Sequence, residues 1–257
     1  MSAEHKHLEP GFYTVDLFDC PDFRMFHSND CPRAVDILDH KSFEPMSMKL
    51  WCSLVRGAQT IIDVGAHVGV YSLAAAALRS DIPIYAFEPN PDVFARLALH
   101  INLNEFKNIQ PCRWGIGEVD AVILLRWVDK GLGNLSSGSH FGSDEPGYNV
   151  SPVFVRPLDM SHKKAPVAMK IDVEGAEKSV FKHLSLVHRP DIILETFSQK
   201  NAAYITQQTE KLGYRYFLID EQNMRLIPEP KLIACDKTGT NYNQFLTTNP
   251  ENTTDWI

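Results

Sequence analysis

Acids and glycines at fixed spacing mark where this chain could do chemistry. Thr60-Ile61-Ile62-Asp63-Val64-Gly65-Ala66-His67-Val68-Gly69 is an apolar, β-branched run with one carboxylate that turns through two glycines. A strand buried on both faces reads this way, and glycine lets the backbone turn sharply and approach a ligand closely. Val70 to Leu78 follows, rich in the good helix formers alanine and leucine. Pro83 to Phe87 is a second apolar run, ended by Glu88. Doubly wound sheets bind ligands at the carboxyl ends of their strands, where an acid can accept bonds from ribose hydroxyls. The unit is therefore expected to hold a nucleoside-containing cofactor.

Its spacing is G-x-x-x-G with an acid two residues before the first glycine, not the G-x-G-x-x-G of dinucleotide folds. It is similar to the S-adenosylmethionine loop, D-x-G-x-G-x-G, with His67 standing where the middle glycine is expected. Asp63 would repel a pyrophosphate and attract the ammonium of a methionine moiety. A second group of acids lies in Met169-Lys170-Ile171-Asp172-Val173-Glu174-Gly175-Ala176-Glu177. Strand alternation puts Lys170 and Asp172 on one side, and a charged pair inside an apolar strand is costly unless it is paired or used. Glu195 ends the next apolar run, Ile192-Ile193-Leu194-Glu195. Lys170, Asp172, Glu174 and Glu195 are thus expected along one rim facing Gly65 and Gly69. Glu177 reads instead as an acid favoured by a helix N-terminus.

Alternating elements must position these residues. Helical periodicity covers Pro45–Arg56, Gly69–Arg79, a helix opened by Pro91, Glu177–Leu184 and Ala202–Leu212. Strands are expected at Thr60–Val64, Pro83–Phe87, Ile109–Arg113, Ala121–Trp127, Val153–Arg156, Val167–Val173, Asp191–Glu195 and Tyr214–Ile219. Met224–Ile227 would pair back on the last of these, and Gln244–Thr248 would close the sheet. Such alternation gives a mostly parallel sheet covered on both faces. Asp129 to Pro152 is rich in glycine, serine and asparagine and has no apolar period, as in a loop over a substrate or a merely variable excursion. Residues 1–42 read as an N-terminal extension with a short strand at Gly11–Leu17, and 43–257 as the catalytic domain.

Composition bounds the alternatives. A chain of 257 residues with 44% apolar and 22% charged content can bury a full core without staples. Five cysteines with no C-x-x-C pair read as free thiols of a reducing, cytoplasmic setting, not as a zinc site or disulfide framework. No signal-peptide core and no apolar run of membrane-spanning length is present. A net charge of −7 without a basic run weighs against a nucleic-acid substrate.

Three segments together resemble the FkbM-type methyltransferases: Ile62 to Ser72 around the glycine loop, Phe87-Glu88-Pro89-Asn90, and Lys170 to Glu177. Phe43-Glu44-Pro45 and Pro190 to Glu195 look similar as well, so the resemblance runs from about Phe43 to Leu218. It implies an α/β, Rossmann-like doubly wound, mostly parallel seven-stranded sheet with an antiparallel last strand, the class I methyltransferase fold. It also implies S-adenosylmethionine as donor and a hydroxyl of a sugar or natural product as acceptor. On that basis Asp63, Gly65, Ala66, His67 and Gly69 are expected to hold the methionine end and Glu88 the ribose. Pro89 and Asn90 would lie near the adenine, with Trp114 and Gly115 as its wall. Methyl transfer to a hydroxyl needs the proton removed. Asp172 is the first candidate base, assisted by Glu174 or Glu195, with Lys170 tuning or anchoring it. Asp172 is also placed to touch the methionine amine. His140 and His162 are lesser candidates. Asp172, Glu174 and Glu195 are hard oxygen ligands of the kind Mg²⁺ takes. The competing readings are a nicotinamide oxidoreductase, which lacks the dinucleotide spacing, and a cofactor-binding subunit without turnover.

Overall fold

The computed structural model describes residues 8–17, 19–28, 37–38, 43–128, 148–235 and 243–256; His140 and residues 129–147 of the expected loop Asp129–Pro152 lie outside them. The chain opens with an antiparallel hairpin, β1 (Gly11–Val15) and β2 (Phe23–His27). Helix α1 (Pro45–Gly57) leads into β3 (Thr60–Val64), α2 (Val70–Leu78), β4 (Ile84–Phe87), α3 (Pro91–Leu103) and β5 (Ile109–Cys112). Three strands then form a sheet of their own: β6 (Gly115–Ile116), β7 (Ala121–Val128) and β8 (Tyr148–Arg156). The remainder is β9 (Val167–Ile171), α4 (Glu177–His183), β10 (Asp191–Glu195), α5 (Gln199–Thr209), β11 (Arg215–Asp220), β12 (Arg225–Glu229) and β13 (Asn243–Thr247).

The main sheet has eight strands in the order β12-β11-β13-β10-β9-β3-β4-β5. The five strands from β10 to β5 run parallel, and β13 lies antiparallel between β10 and β11. This is the doubly wound α/β architecture, with its order reversing at β3 and β9, where such sheets open a ligand crevice. The expected seven strands are present, and β12 folds back antiparallel on β11 as an eighth. Its Pro228, like Pro111 in β5, stands on an edge strand, where a missing N–H costs no ladder bond. The strands at Ala121 and Val153 leave the main sheet for the small one. The second of these begins earlier than expected, at Tyr148, so Pro152 is inside the strand. Proline fits there because β6 pairs only with Val155 and Arg156, leaving Pro152 a partner on one side alone.

Alternation divides the core. Ile61, Ala168 and Ile193 face one layer with α1, α2 and α3. Ile62, Met169, Ile192 and Leu194 face the other with α4 and α5. Hairpin residues Val15, Phe23 and Met25 are buried in the first layer, alongside Trp51 and Leu73. Among the described residues, no helix is long and apolar enough to cross a membrane.

Candidate active site

Asp63, Lys170, Asp172 and Glu195 share the sheet face of the α1–α3 layer by the period of two along each strand. Register then brings them side by side: Asp63 is paired with Lys170, and Lys170 with Ile193, two residues before Glu195. The loop after β3 closes over their carboxyl ends. Gly65, His67 and Gly69 all have positive φ, at 83°, 51° and 99°. Gly65 must be glycine, because a Cβ there would stand 1.7 Å from the Asp172 carbonyl oxygen.

Four of the loop's amides are already in use. Gly65 and Ala66 N–H both donate to the Phe87 carbonyl at 2.9 Å, Gly69 N–H donates to Ala66 O at 2.8 Å, and His67 N–H donates to Glu88 Oε2 at 3.0 Å. A pyrophosphate site needs such N–H groups pointing at the ligand; here they are spent holding the turn. The carboxylates behind them favour a cation instead. Asp63 is fully buried and accepts the Ser72 hydroxyl at 2.7 Å. Burial pushes its carboxyl up to about 6, opposed by the Ser72 bond and the Lys170 charge. Glu88 accepts the N–H of His67 through one oxygen and that of Asn90 (2.8 Å) through the other. Burial holds it up to about 7, against those two bonds. Each Glu88 oxygen keeps one lone pair, enough for both hydroxyls of a diol.

Asp172, Glu174 and Glu195 bring carboxylate oxygens within 4.8 Å of one another. Glu174 reaches the group through a left-handed turn, φ 48°, followed by Gly175 at 106°. Burial and then the Asp172 charge raise the Glu195 carboxyl to about 9, with Lys170 pulling the other way. Lys170 is buried, its Nζ 3.7 Å from Asp172 Oδ2. Burial works against its ammonium, but the surrounding carboxylates, Asp172 foremost, hold its pKa above the ordinary lysine value. Lys170 Nζ also donates to Asn243 Oδ1 at 3.1 Å. Asn243 Nδ2 passes the contact to Glu44 Oε2 at 2.7 Å, where the Tyr71 hydroxyl also donates at 2.5 Å.

Glu44 is the site residue that candidate selection from the sequence missed. It precedes α1 in a left-handed conformation, φ 43°, and does not cap that helix. Glu221, far along the chain, does: it accepts Met46 N–H (2.7 Å), Ser47 N–H (3.3 Å) and the Ser47 hydroxyl. Relieved of capping, the Glu44 carboxylate lines the cavity. Phe43-Glu44-Pro45 in the sequence was the only signal, and nothing in its spacing ties it to the acids after β9.

One cavity gathers these groups, with about 1170 Å³ of free space including its mouth. Asp63, Gly65, Ala66, His67, Glu88, Pro89, Gly115, Lys170, Asp172, Glu174 and Glu195 line it, as do Glu44, Tyr71, Phe87, Ile116 and Leu125. Three expected residues do not. Gly69 stands behind the loop as the N-cap of α2. Asn90 is fully buried and caps α3, accepting the N–H groups of Asp92 and Val93. Trp114 stacks edge-on against Phe87 at 5.9 Å between ring centres, under Arg156. Glu177 is buried, accepting from Gly175 N–H, Asn201 and Thr196, and ties α4 to α5. His162 is exposed and does not line the cavity.

The family model of the methyltransferase FkbM domain matches residues 63–216, more than half of the chain and every acid of the cavity except Glu44. The chain belongs to the FkbM methyltransferase family. The fold is accordingly the class I, S-adenosylmethionine-dependent methyltransferase fold, with β12 added at its edge. "Methyltransferase 1" of Beauveria bassiana is 24% identical over 147 residues, half of this chain and 59% of that relative's length. The FkbM methyltransferase of Methylobacillus flagellatus is 15% identical, with 74% of this chain and 44% of that one covered at a TM-score of 0.47. A SAM-dependent O-methyltransferase of Thermotoga maritima is 12% identical, with 93% and 94% covered at 0.46. The donor set suits the family's cofactor: carboxylates for a cationic ligand, free lone pairs on Glu88 for a ribose, and a loop with four of its amides spent on the protein itself.

Proposed function

We propose that this FkbM-family methyltransferase methylates a hydroxyl of an uncharged sugar or natural-product acceptor, with Asp172 taking the proton. The observation that carries the reading is the carboxylate group of Asp172, Glu174 and Glu195 beside Lys170, on the same cavity as the glycine loop. Asp63, Gly65, Ala66 and His67 would hold the methionine end of the donor, Glu88 its ribose, and Pro89, Gly115 and Ile116 its base. Bound S-adenosylmethionine supplies an activated methyl on a sulfonium, so the protein's task is to orient the acceptor, an effect that can be worth ~7–11 kcal/mol. Asp172 is held beside Lys170 and accepts the hydroxyl proton as the bond forms. Glu195, its carboxyl raised to about 9, is protonated near neutral pH and can donate a hydrogen bond to the acceptor oxygen. Glu174 covers the open side, and Lys170 holds Asp172 in place. Glu44 would accept from a second acceptor hydroxyl.

With Glu195 protonated, the carboxylates of Asp172, Glu174 and Glu44 still outnumber the single Lys170 ammonium and disfavour an anionic acceptor, by repulsion. The chain's acidic charge likewise disfavours RNA. The odd cysteine count supports a cytoplasmic setting. Labelled methyl transfer to a panel of neutral sugars, uronic acids, amino sugars and phenols tests the reading. We expect label on neutral hydroxyls; transfer confined to amines or to acidic sugars would overturn it.

A second component of the reading is a divalent cation on the same three carboxylates, favoured by their mutual distance of 4.8 Å or less. It would bind both oxygens of a diol and lower the acceptor's pKa. Turnover unchanged by exhaustive chelation removes the metal and leaves Asp172 as the base.

A further inference from the structure

The N-terminal hairpin is joined to the methyltransferase domain by a side-chain ladder. On its edge away from β1, β2 presents the backbone of Arg24 and Phe26. Arg24 N–H donates to Asn104 Oδ1 at 2.7 Å, and Arg24 O accepts from Asn104 Nδ2 at 2.8 Å. Phe26 N–H donates to His100 Nε2 at 3.1 Å, and Phe26 O accepts from Arg96 Nη1 at 3.1 Å. Arg96 Nη2 continues the series to the Ser28 hydroxyl at 3.0 Å. Arg96, His100 and Asn104 are four apart, on one helix face, while Arg24, Phe26 and Ser28 are two apart, on one strand edge. Four helical residues rise about 6 Å and two strand residues about 7 Å, so the two series stay in step. The helix face thus completes an otherwise open sheet edge.

His100 does more than its neighbours in this ladder. It is fully buried, and its other ring nitrogen, Nδ1, stands 2.8 Å from the Val68 carbonyl, inside the glycine loop. Nε2 lies 3.1 Å from Phe26 N and 3.2 Å from Phe26 O, so it can accept from the first or donate to the second. The Val68 carbonyl beside Nδ1 can only accept, so a neutral ring carries its proton on Nδ1, donates it to Val68 O and takes the Phe26 N–H at Nε2. One imidazole therefore bridges the hairpin and the loop. Gly65, His67 and Gly69 keep that loop at positive φ, so its shape depends on what braces it from outside.

We infer that His100 is a positioning residue of the donor site: braced by the hairpin, it fixes the Val68 carbonyl and with it the loop that holds the methionine end of S-adenosylmethionine. The inference rests on the donor assignment made above. The hairpin seats the ring and adds stability, while the Nδ1–H to Val68 carries the effect on the donor; no hairpin residue lines the cavity.

Calorimetric titration of the full-length chain with S-adenosylmethionine tests it. His100→Asn keeps an N–H donor near the position of Nδ1 and loses the Nε2 acceptor. His100→Gln keeps an acceptor near Nε2 and loses the donor to Val68. Asn104→Ala cuts hairpin bonds without touching the loop. We expect all three to melt earlier. His100→Gln alone should raise the donor Kd about tenfold, the scale of one lost buried hydrogen bond; His100→Asn and Asn104→Ala should stay within about threefold. Wild-type donor affinity in His100→Gln, or equal losses in all three variants, overturns the inference. Nitrogen-15 spectra of the wild-type histidine rings give an independent check. His100 must carry its proton on Nδ1 with and without donor, and an Nε2–H ring overturns the inference even if a variant does not fold. A wild-type chain that binds no S-adenosylmethionine would instead fail the donor assignment itself.

Discussion

Replacing Glu88 by glutamine separates two jobs of one carboxylate. Each Glu88 oxygen accepts one backbone N–H, from His67 and Asn90, and keeps one lone pair for a ribose hydroxyl. Glutamine leaves a single neutral acceptor oxygen, and its NH₂ faces a backbone N–H. One bond to the ribose is lost and the other loses its charge, together about 3 kcal/mol, or ~150-fold in Kd. Stability should change in the other direction with pH. The Glu88 carboxyl is raised from 4.5 to about 7 in the fold, chiefly by burial. The folded state therefore binds the proton more tightly than the unfolded state, and the cost of ionising Glu88 is absent below pH 4.5 and complete above about 7. That cost is roughly 3 kcal/mol, and glutamine does not incur it. Glu88→Gln should be clearly less stable than wild type at pH 5, and the deficit should shrink by roughly 2–3 kcal/mol by pH 8. Calorimetry with S-adenosylmethionine at pH 8 and urea melts at both pH values give the two quantities. Wild-type affinity for the donor in Glu88→Gln would refute the ribose assignment.

Asp172→Asn should cut methyl transfer ~100-fold or more while donor affinity changes little, with a lower melting temperature because the buried Lys170 ammonium loses its foremost counter-charge; an equal loss of donor affinity would move Asp172 to the methionine amine. Gly65→Ala should cost about 4 kcal/mol in denaturant melts, from left-handed strain plus collision with the Asp172 carbonyl. Gly175→Ala, with comparable strain but open space around its Cβ position, should cost only ~1–2 kcal/mol; equal losses at the two sites would contradict the close approach of loop and strand.

The glycine loop, Glu88 and the acids after β9 were legible because their signals are local. An apolar run, a turn residue and a terminal acid lie within one strand-to-helix unit, and parallel pairing does the rest. What was not legible depends on contacts distant in sequence. Glu44 enters the site through Asn243, 199 residues away, and is free to do so because Glu221 caps α1 in its place. Asn90 was expected near the adenine, but asparagine before Pro91 is also a strong helix cap, and that bond turns its side chain away from the cavity. The apolar run at Ala121 gave the strand but not its sheet, since periodicity does not encode a pairing partner. His100 sits in α3 among Leu97 and Ile101, and nothing in that stretch announces that both of its ring nitrogens are engaged.

The most direct measurement is a crystal of the full-length chain soaked with S-adenosylmethionine. The methionine end should lie against Asp63 to His67, with the ribose hydroxyls on Glu88 and the methyl group turned toward Asp172 and Glu195. A saturated crystal with that crevice empty, or one in which NAD⁺ lays its pyrophosphate along the loop, would contradict the account.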